Sequence, residues 1–250
     1  MKHLELLIEL YRALLKLRHS GSFFGFLWTL LNPTVYILIY WFVFSYVLQV
    51  GSANYYIFLI TGFLGWNFTF GSLNLNSEAI NQSKYLITKI AFPHELIVIS
   101  NTLILLTDMI IAYAAFFILV LILSPSFAGN FIYFPLILIP QIFFTLGISF
   151  IASALSVYFK DIPKLVAIFG NIMFFISPIL YPIERIPSNF SFVVNANLFA
   201  YILNLYHQAI YKGDAFNIVS YSFVFLSSSI IFLSGLWVFN KYKAKFAELA

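Results

Sequence analysis

Five long apolar stretches, at positions 32–50, 56–75, 96–123, 131–159 and 216–239, dominate this chain. Each is near or above the roughly 20 residues a helix needs to cross a hydrocarbon core about 30 Å thick. A sixth, 165–181, is slightly shorter and lies between Pro163 and Pro182. Lipid offers no partner to backbone N–H and C=O groups, so runs of this length must close their hydrogen bonds internally, as helices do. Only 9% of the residues are charged and 62% are hydrophobic, whereas a soluble domain carries about a quarter charged. The expectation is an all-α membrane protein with six transmembrane helices. The third and fourth runs exceed a straight crossing, so they must tilt, kink or protrude, with Pro135 and Pro140 as kink sites in the fourth.

The first segment is of another kind. Glu5, Glu9, Arg12 and Lys16 recur at steps of four, three and four, while Leu4, Leu7, Tyr11 and Leu14 mark another face with the same period. That pattern predicts an amphipathic helix lying in the membrane interface over 1–22, ahead of a six-helix body at 23–250. Its charges and the lack of a short apolar core argue against a secretory signal peptide. Eleven of the 13 Lys and Arg residues fall on one side of a six-span arrangement, and only Arg185 and Lys212 on the other. The positive-inside rule then puts both termini in the cytoplasm. Segment 182–215 is aromatic and proline-punctuated, too apolar for a free loop and too broken to span. It reads as one or two short helices re-entering the outer leaflet.

Several chemistries are excluded. There is no phosphate-binding Gly-rich loop and no cysteine, and His3, His19, His94 and His207 are widely scattered, so neither nucleotide hydrolysis nor a metal site is expected in this chain. The net charge of +4 is spread over short loops, which argues against nucleic acid. No internal repeat of the kind found in inverted-repeat carriers is visible.

Three features remain. The loop 79–95 reads AINQSKYLITKIAFPHE, and Pro93 with Glu95 marks the start of the third span. Lys84, Tyr85, Leu86, Lys89 and Ile90 suit a short helix presented to a partner, or an ordinary loop whose lysines only set orientation. On the second span Asn67, Gly71, Asn74 and Glu78 form a polar stripe, expected to face protein or water rather than lipid. Asp108 is the sole acid well inside a span; a hydrogen-bonded partner within the bundle is expected there, rather than a proton relay. Small residues at Ser149, Ala152, Ser153 and Ser156 suit close helix packing.

Four motifs in order carry a resemblance. Gly25-Phe-Leu-Trp28 is followed by Pro33; the loop holds Asn81, Leu86, Lys89 and Phe92-Pro93-x-Glu95; Tyr158-Phe-Lys-Asp-Ile162 follows the fourth span; Ser177-Pro-Ile-Leu-Tyr-Pro182 precedes Ile186-Pro187. Over essentially its whole length the chain resembles the membrane subunits of ABC transporters that export polysaccharides: O-antigen, capsule and teichoic acid permeases. It departs at Phe24 for leucine, at Lys160 for arginine, at Asn197-Leu198 for Asn-Pro, and at Tyr206-His207 for Tyr-Arg.

The resemblance implies a bacterial inner-membrane permease that works as a homodimer with two copies of a separate ABC ATPase. ATP and Mg would bind that partner, with no cofactor in this chain, and lipid-linked polysaccharide would be the substrate. It makes Lys84, Tyr85, Leu86, Lys89, Phe92, Pro93 and Glu95 the ATPase-coupling residues, and Ser177, Pro178, Tyr181 and Pro182 an external gate. Given a sugar substrate, the aromatic stripe Tyr36, Tyr40 and Phe44, with Asn67 and Asn74, becomes a candidate translocation path, because aromatic faces stack on sugar rings; core packing or an interface belt would produce the same stripe. Lys16 and Arg18 become candidate pyrophosphate contacts, although anchoring to anionic lipid would use the same residues. The alternatives are an ABC permease for a smaller lipid or drug, and a proton-coupled carrier or channel that needs no ATPase.

Overall fold

The computed structural model describes residues 2–19, 23–49, 51, 54–89, 92–214 and 217–246. The N-terminal helix α1 (Lys2–His19) is followed by a single turn, Gly25–Leu27, and then α2 (Trp28–Phe42), which widens into a π-helical turn at Val43–Val47. Next come α3 (Tyr55–Gln82), the six-residue α4 (Lys84–Lys89) and α5 (Glu95–Leu123). The 3-10 segment Pro125–Tyr133 leads into α6 (Phe134–Tyr158), then α7 (Ile162–Ile176). Two 3-10 turns precede α8 (Ser191–Asn195) and α9 (Leu198–Tyr206), which runs on as a π turn, His207–Lys212. The last span, α10 (Ile218–Tyr242), ends in the turn Lys243–Lys245. Among the described residues there are no strands.

Five of these stretches are long and apolar enough to cross a membrane, and α7 is a shorter apolar helix of 15 residues. The expected run 165–181 therefore ends early, at Ile176. Pro178 gives the reason: its ring disfavours helical backbone at the preceding residue, and Ser177 is extended at φ −79°, ψ 151°. The segment after α7 is tolerated because protein covers it, with Ile179 and Leu180 buried. Helix α3 conversely outruns its apolar stretch. Its polar end persists because Asn76 donates to Thr102 Oγ1 at 3.0 Å and Gln82 donates to Glu78 at 2.7 Å.

Pro135 sits in the first turn of α6 and Pro140 inside it. Pro140 cannot donate to the carbonyl of Leu136; the Tyr221 hydroxyl of α10 donates to that oxygen at 3.2 Å. Helices α6 and α10 also meet at backbone distance. A Cβ on Gly147 would lie 2.6 Å from the Ile231 carbonyl oxygen, and one on Gly235 would run into the Gly147 carbonyl. Ser149, Ala152, Ser153 and Ser156 are all buried on the same span.

A buried amide ties the bundle together. Gln141 donates to the Gly65 carbonyl at 2.8 Å and to Thr69 Oγ1 at 3.1 Å, and accepts from the Tyr206 hydroxyl at 2.7 Å. Spans α3 and α6 and the short helix α9 thus share one polar joint. Helix–helix hydrogen bonds in bilayers contribute about 0.6 kcal/mol each, so Gln141→Leu should cost about 1–2 kcal/mol. Thermal unfolding in detergent should fall by a few degrees; an unchanged midpoint would show the joint to be dispensable.

The buried residues form two clusters. The larger joins the spans to α9, its π turn and the segment after α7. The smaller gathers Ile80, Ile87, Ile97, Phe150, Phe239 and Phe246 at the end of the bundle that also holds α4, the α6–α7 turn and Lys243. The lysine-rich segments meet at this end. Helix α1 packs there against α5, with Leu7, Tyr11 and Leu14 on its shielded side and Glu5, Glu9, Arg12 and Lys16 exposed; Leu4, from the same expected stripe, is exposed.

Candidate functional site

Helix α4 starts directly from the end of α3, because the Ser83 carbonyl accepts from both the Leu86 and Ile87 amides, at 2.9 and 3.0 Å. It has two faces. Ile87 drops into the smaller core, while Tyr85 is 72% exposed beside an exposed Lys84, with Leu86 half-buried between them. The side chain of Lys89, and Ile90, lie outside the described residues. Ile87 was not among the residues singled out in the sequence; it shares the smaller core with Ile80 of α3.

Glu95 opens α5 and accepts from Lys243 Nζ at 2.6 Å, 148 residues away in sequence. Phe92 meets the His94 ring edge-on at 5.5 Å, and His94 lies over Phe246 at 6.1 Å. Burial lowers the His94 pKa below the ordinary imidazole value, with Glu95 opposing and Lys243 reinforcing the shift. Phe92, His94 and Glu95 therefore face the C-terminal turn rather than solvent. Of the expected coupling residues whose side chains are described, Lys84 and Tyr85 are the exposed ones.

The stripe Asn67, Gly71, Asn74 and Glu78 is found where α3 is open. Elsewhere α3 is mostly buried, but Asn74 and Glu78 are exposed and Asn67 and Gly71 half-covered. A polar face left open in a membrane helix must meet water, substrate or another chain, since lipid would leave it unsatisfied.

Beside this stripe lies a cavity of about 430 Å³ between α2, α3 and α7. Tyr36 stacks on Phe63 with centroids 5.7 Å apart, Tyr40 lies 5.5 Å from Phe174, and Trp66 meets Phe174 at 4.9 Å and 71°. Asn32 and Asn67 complete its wall. Phe63, Trp66 and Phe174 were not anticipated; they come from other spans, and only their aromatic character was visible in the sequence. Phe44, by contrast, is absent from this wall. The π turn advances each residue through a smaller angle than the α-helix does, and Phe44 instead lies 6.0 Å from Tyr55.

Asn32, Pro33 and Asn67 also line a second cavity of about 200 Å³, toward the lysine-rich end, so the two are adjacent and share these residues as a wall. Its floor is charged. Arg18 Nη2 lies 2.8 Å from Asp108 Oδ2, and the Thr29 hydroxyl donates to Asp108 Oδ1 at 3.2 Å. The bundle partner expected for Asp108 is thus a base as well as a hydroxyl. Asp108 lies midway along α5, 13 residues from its start at Glu95 and 15 from its end at Leu123, about 20 Å from either end. Lys16 is exposed and lies outside this cavity.

At the far end, Tyr181 donates to the carbonyls of Phe175 and Ile176 at 2.6 and 3.1 Å, closing the last turn of α7. Ser177 accepts from Asn197 at 2.9 Å, and Asn197 also caps α9. Pro182 and Tyr181 join Phe44, Tyr55 and Arg185 around a cavity of about 110 Å³. Pro178 is buried behind them. The departure at His207 is accommodated locally: its ring stacks on Phe58 at 3.8 Å, with Gly62 leaving the space beneath. Among the described residues no three His, Asp or Glu side chains gather as metal ligands would.

Comparison with known proteins adds to this arrangement. The ABC-2 type transporter family matches residues 5–211. The O-antigen export system permease protein RfbA of Klebsiella pneumoniae is 32% identical over 249 residues, covering 98% of this chain and 95% of that protein. A protein of the same name from Myxococcus xanthus is 29% identical over 248 residues, covering 97% and 94%. The polysialic acid transport protein KpsM of Escherichia coli is 24% identical over 227 residues, covering 86% and 85%. The match begins in α1 and runs into the π turn after α9 over a bundle of membrane-length helices, and the chain belongs to the ABC-2 type transporter family.

Proposed function

We propose that this chain is the permease subunit of an exporter that carries lipid-linked polysaccharide out of the bacterial cytoplasm, driven by a separate ATPase. Two copies form the pathway in the inner membrane and two ATPases dock below them, with both termini on the cytoplasmic side. The observation that carries this reading is the pair of adjacent cavities, one with the Arg18–Asp108 floor and one walled by Tyr36, Tyr40 and Trp66, that share Asn32, Pro33 and Asn67. The first suits a charged headgroup. The second suits sugar rings, because aromatic faces stack on them without demanding one sequence of sugars. The relatives named for O-antigen and polysialic acid transport support a polymer as cargo.

On this reading Lys84 and Tyr85 of α4 contact the ATPase, and closure of the two ATPases moves α4 and with it α3 and α5. Ser177, Pro178, Tyr181 and Pro182 belong to the outer gate. The double substitution Tyr36→Ala, Tyr40→Ala should lower export about tenfold or more, two lost stacking contacts of about 1 kcal/mol each, while protein level and ATPase binding hold. Surface display of polymer per cell measures it. Full export would remove the aromatic wall from the pathway. Transport by the purified chain in a pH gradient, without any ATPase, would overturn the reading as a whole. Export of a small lipid but no polymer would reassign the cargo.

A further inference from the structure

Arg18 and Asp108 are far apart in sequence but close in space, and the joint between them is built rather than incidental. Tyr11 and Arg18 are seven residues apart on α1, hence on one face, and their partners are consecutive on α5: Tyr11 Oη lies 2.8 Å from Thr107 Oγ1, and Arg18 Nη2 lies 2.8 Å from Asp108. The first contact fixes α1 on α5, so the second is preset. Thr29, from α2, holds the other carboxylate oxygen. The Arg18 side chain remains 38% exposed and Asp108 14%, so the guanidinium is reachable from the cavity while its partner is mostly covered.

That arrangement poses a physical question. With α1 lying in the membrane interface, as its amphipathic pattern implies, Arg18 near its end meets phospholipid headgroups, which attract basic side chains by about 1 kcal/mol each. Left alone, Arg18 would be occupied by bulk lipid, and a scarce substrate would compete against a great excess. An intramolecular carboxylate changes the competition, because its effective concentration is that of a tethered partner and its contact is a charge-assisted hydrogen bond.

We propose that Asp108 is a specificity-determining residue: by holding Arg18 it excludes singly charged phosphodiester headgroups, and it yields to a diphosphate. A diphosphate brings at least two negative charges and more acceptor oxygens to the five donors of a guanidinium. It can therefore take the donors that face the cavity, or displace the carboxylate, where a monoanion cannot. This inference rests on the headgroup role given above to the charged cavity, and names the residue that makes that cavity selective.

The test uses the full chain with its ATPase in nanodiscs of phosphatidylcholine, into which phosphatidylglycerol or a sugar-free polyprenyl diphosphate is titrated. Retained lipid is counted by native mass spectrometry. The native protein should prefer the diphosphate. Asp108→Asn, which keeps shape and a hydrogen-bond acceptor, should raise phosphatidylglycerol retention and lower the diphosphate-to-glycerol preference about tenfold. Thr29→Val should move the preference the same way by a smaller factor, and Arg18→Gln should abolish retention of both. A purely structural Asp108 would change thermal unfolding and leave the preference alone. The proposal is overturned if both Asp108→Asn and Thr29→Val keep the native preference within twofold. A native protein that retains no polyprenyl diphosphate would sink the headgroup role itself, and this inference with it.

Discussion

Leucine at position 235 should leave almost no folded protein in the membrane. Spans α6 and α10 touch through their backbones there: any Cβ on Gly235 runs into the Gly147 carbonyl, and a Cβ on Gly147 would sit 2.6–2.7 Å from the backbone of Ile231 and Phe232. Side chains can change rotamer to relieve such contacts, but helix backbone cannot, so the two spans must separate. Lipid tails are as apolar as the helices, so spans associate largely through close van der Waals fit rather than expulsion of water. Separation of this pair forfeits that fit along the largest helix–helix contact in the chain. The cost should reach about 3 kcal/mol or more, the upper range for overpacking. Gly71→Ala is the control. The nearest atom to its Cβ is the flexible end of Leu105 at 3.4 Å, and yield should stay native. Detergent-extracted yield and thermal unfolding measure both, and a Gly235→Leu protein with native yield and midpoint would disprove the backbone contact.

Tyr85→Glu should separate the chain from its ATPase. This ring is 72% exposed on a helix whose opposite side, through Ile87, is anchored in the smaller core. An exposed aromatic on a rigid mount, next to a cation, is the usual form of an interface anchor, and losing such an anchor costs about 2–4 kcal/mol. The expected weakening is therefore about 30- to 1,000-fold. Co-purification of the ATPase should disappear, export should stop, and the thermal midpoint of the membrane chain should hold. Ile87→Ala should do the reverse, lowering the midpoint by opening a cavity under α4. ATPase retained at native stoichiometry by Tyr85→Glu would remove α4 from the docking surface.

Much of the architecture was legible because bilayer physics leaves few options. Runs of apolar residues gave the spans, and the step of four, three and four at Asn67, Gly71, Asn74 and Glu78 located the open face of α3 before any contact was known. Pattern reading stopped where the answer depended on pairs distant in sequence. Nothing near Arg18 points to Asp108, nor near Lys243 to Glu95, and both pairs were formed by helices meeting in three dimensions. Gln141 was visible as the one amide in its span, but its partner Tyr206 lies on the short helix α9, 65 residues later. The early end of α7 was written in Ser177-Pro178 and was masked by the apolar residues that follow. Phe44 was misplaced because a period of four assumes an unbroken α-helix, and the turn at Val43–Val47 is wider.

The first span has a bearing on assembly. Most of the surface of 25–47 is uncovered within a single copy, whereas α3 is largely enclosed. Such a span obtains little holding force from its own chain and must borrow neighbours. In the dimer proposed above, maturation then becomes a second-order process: diluting the subunit in lipid should loosen this helix before any other, and quality-control proteases would find unpaired copies by it.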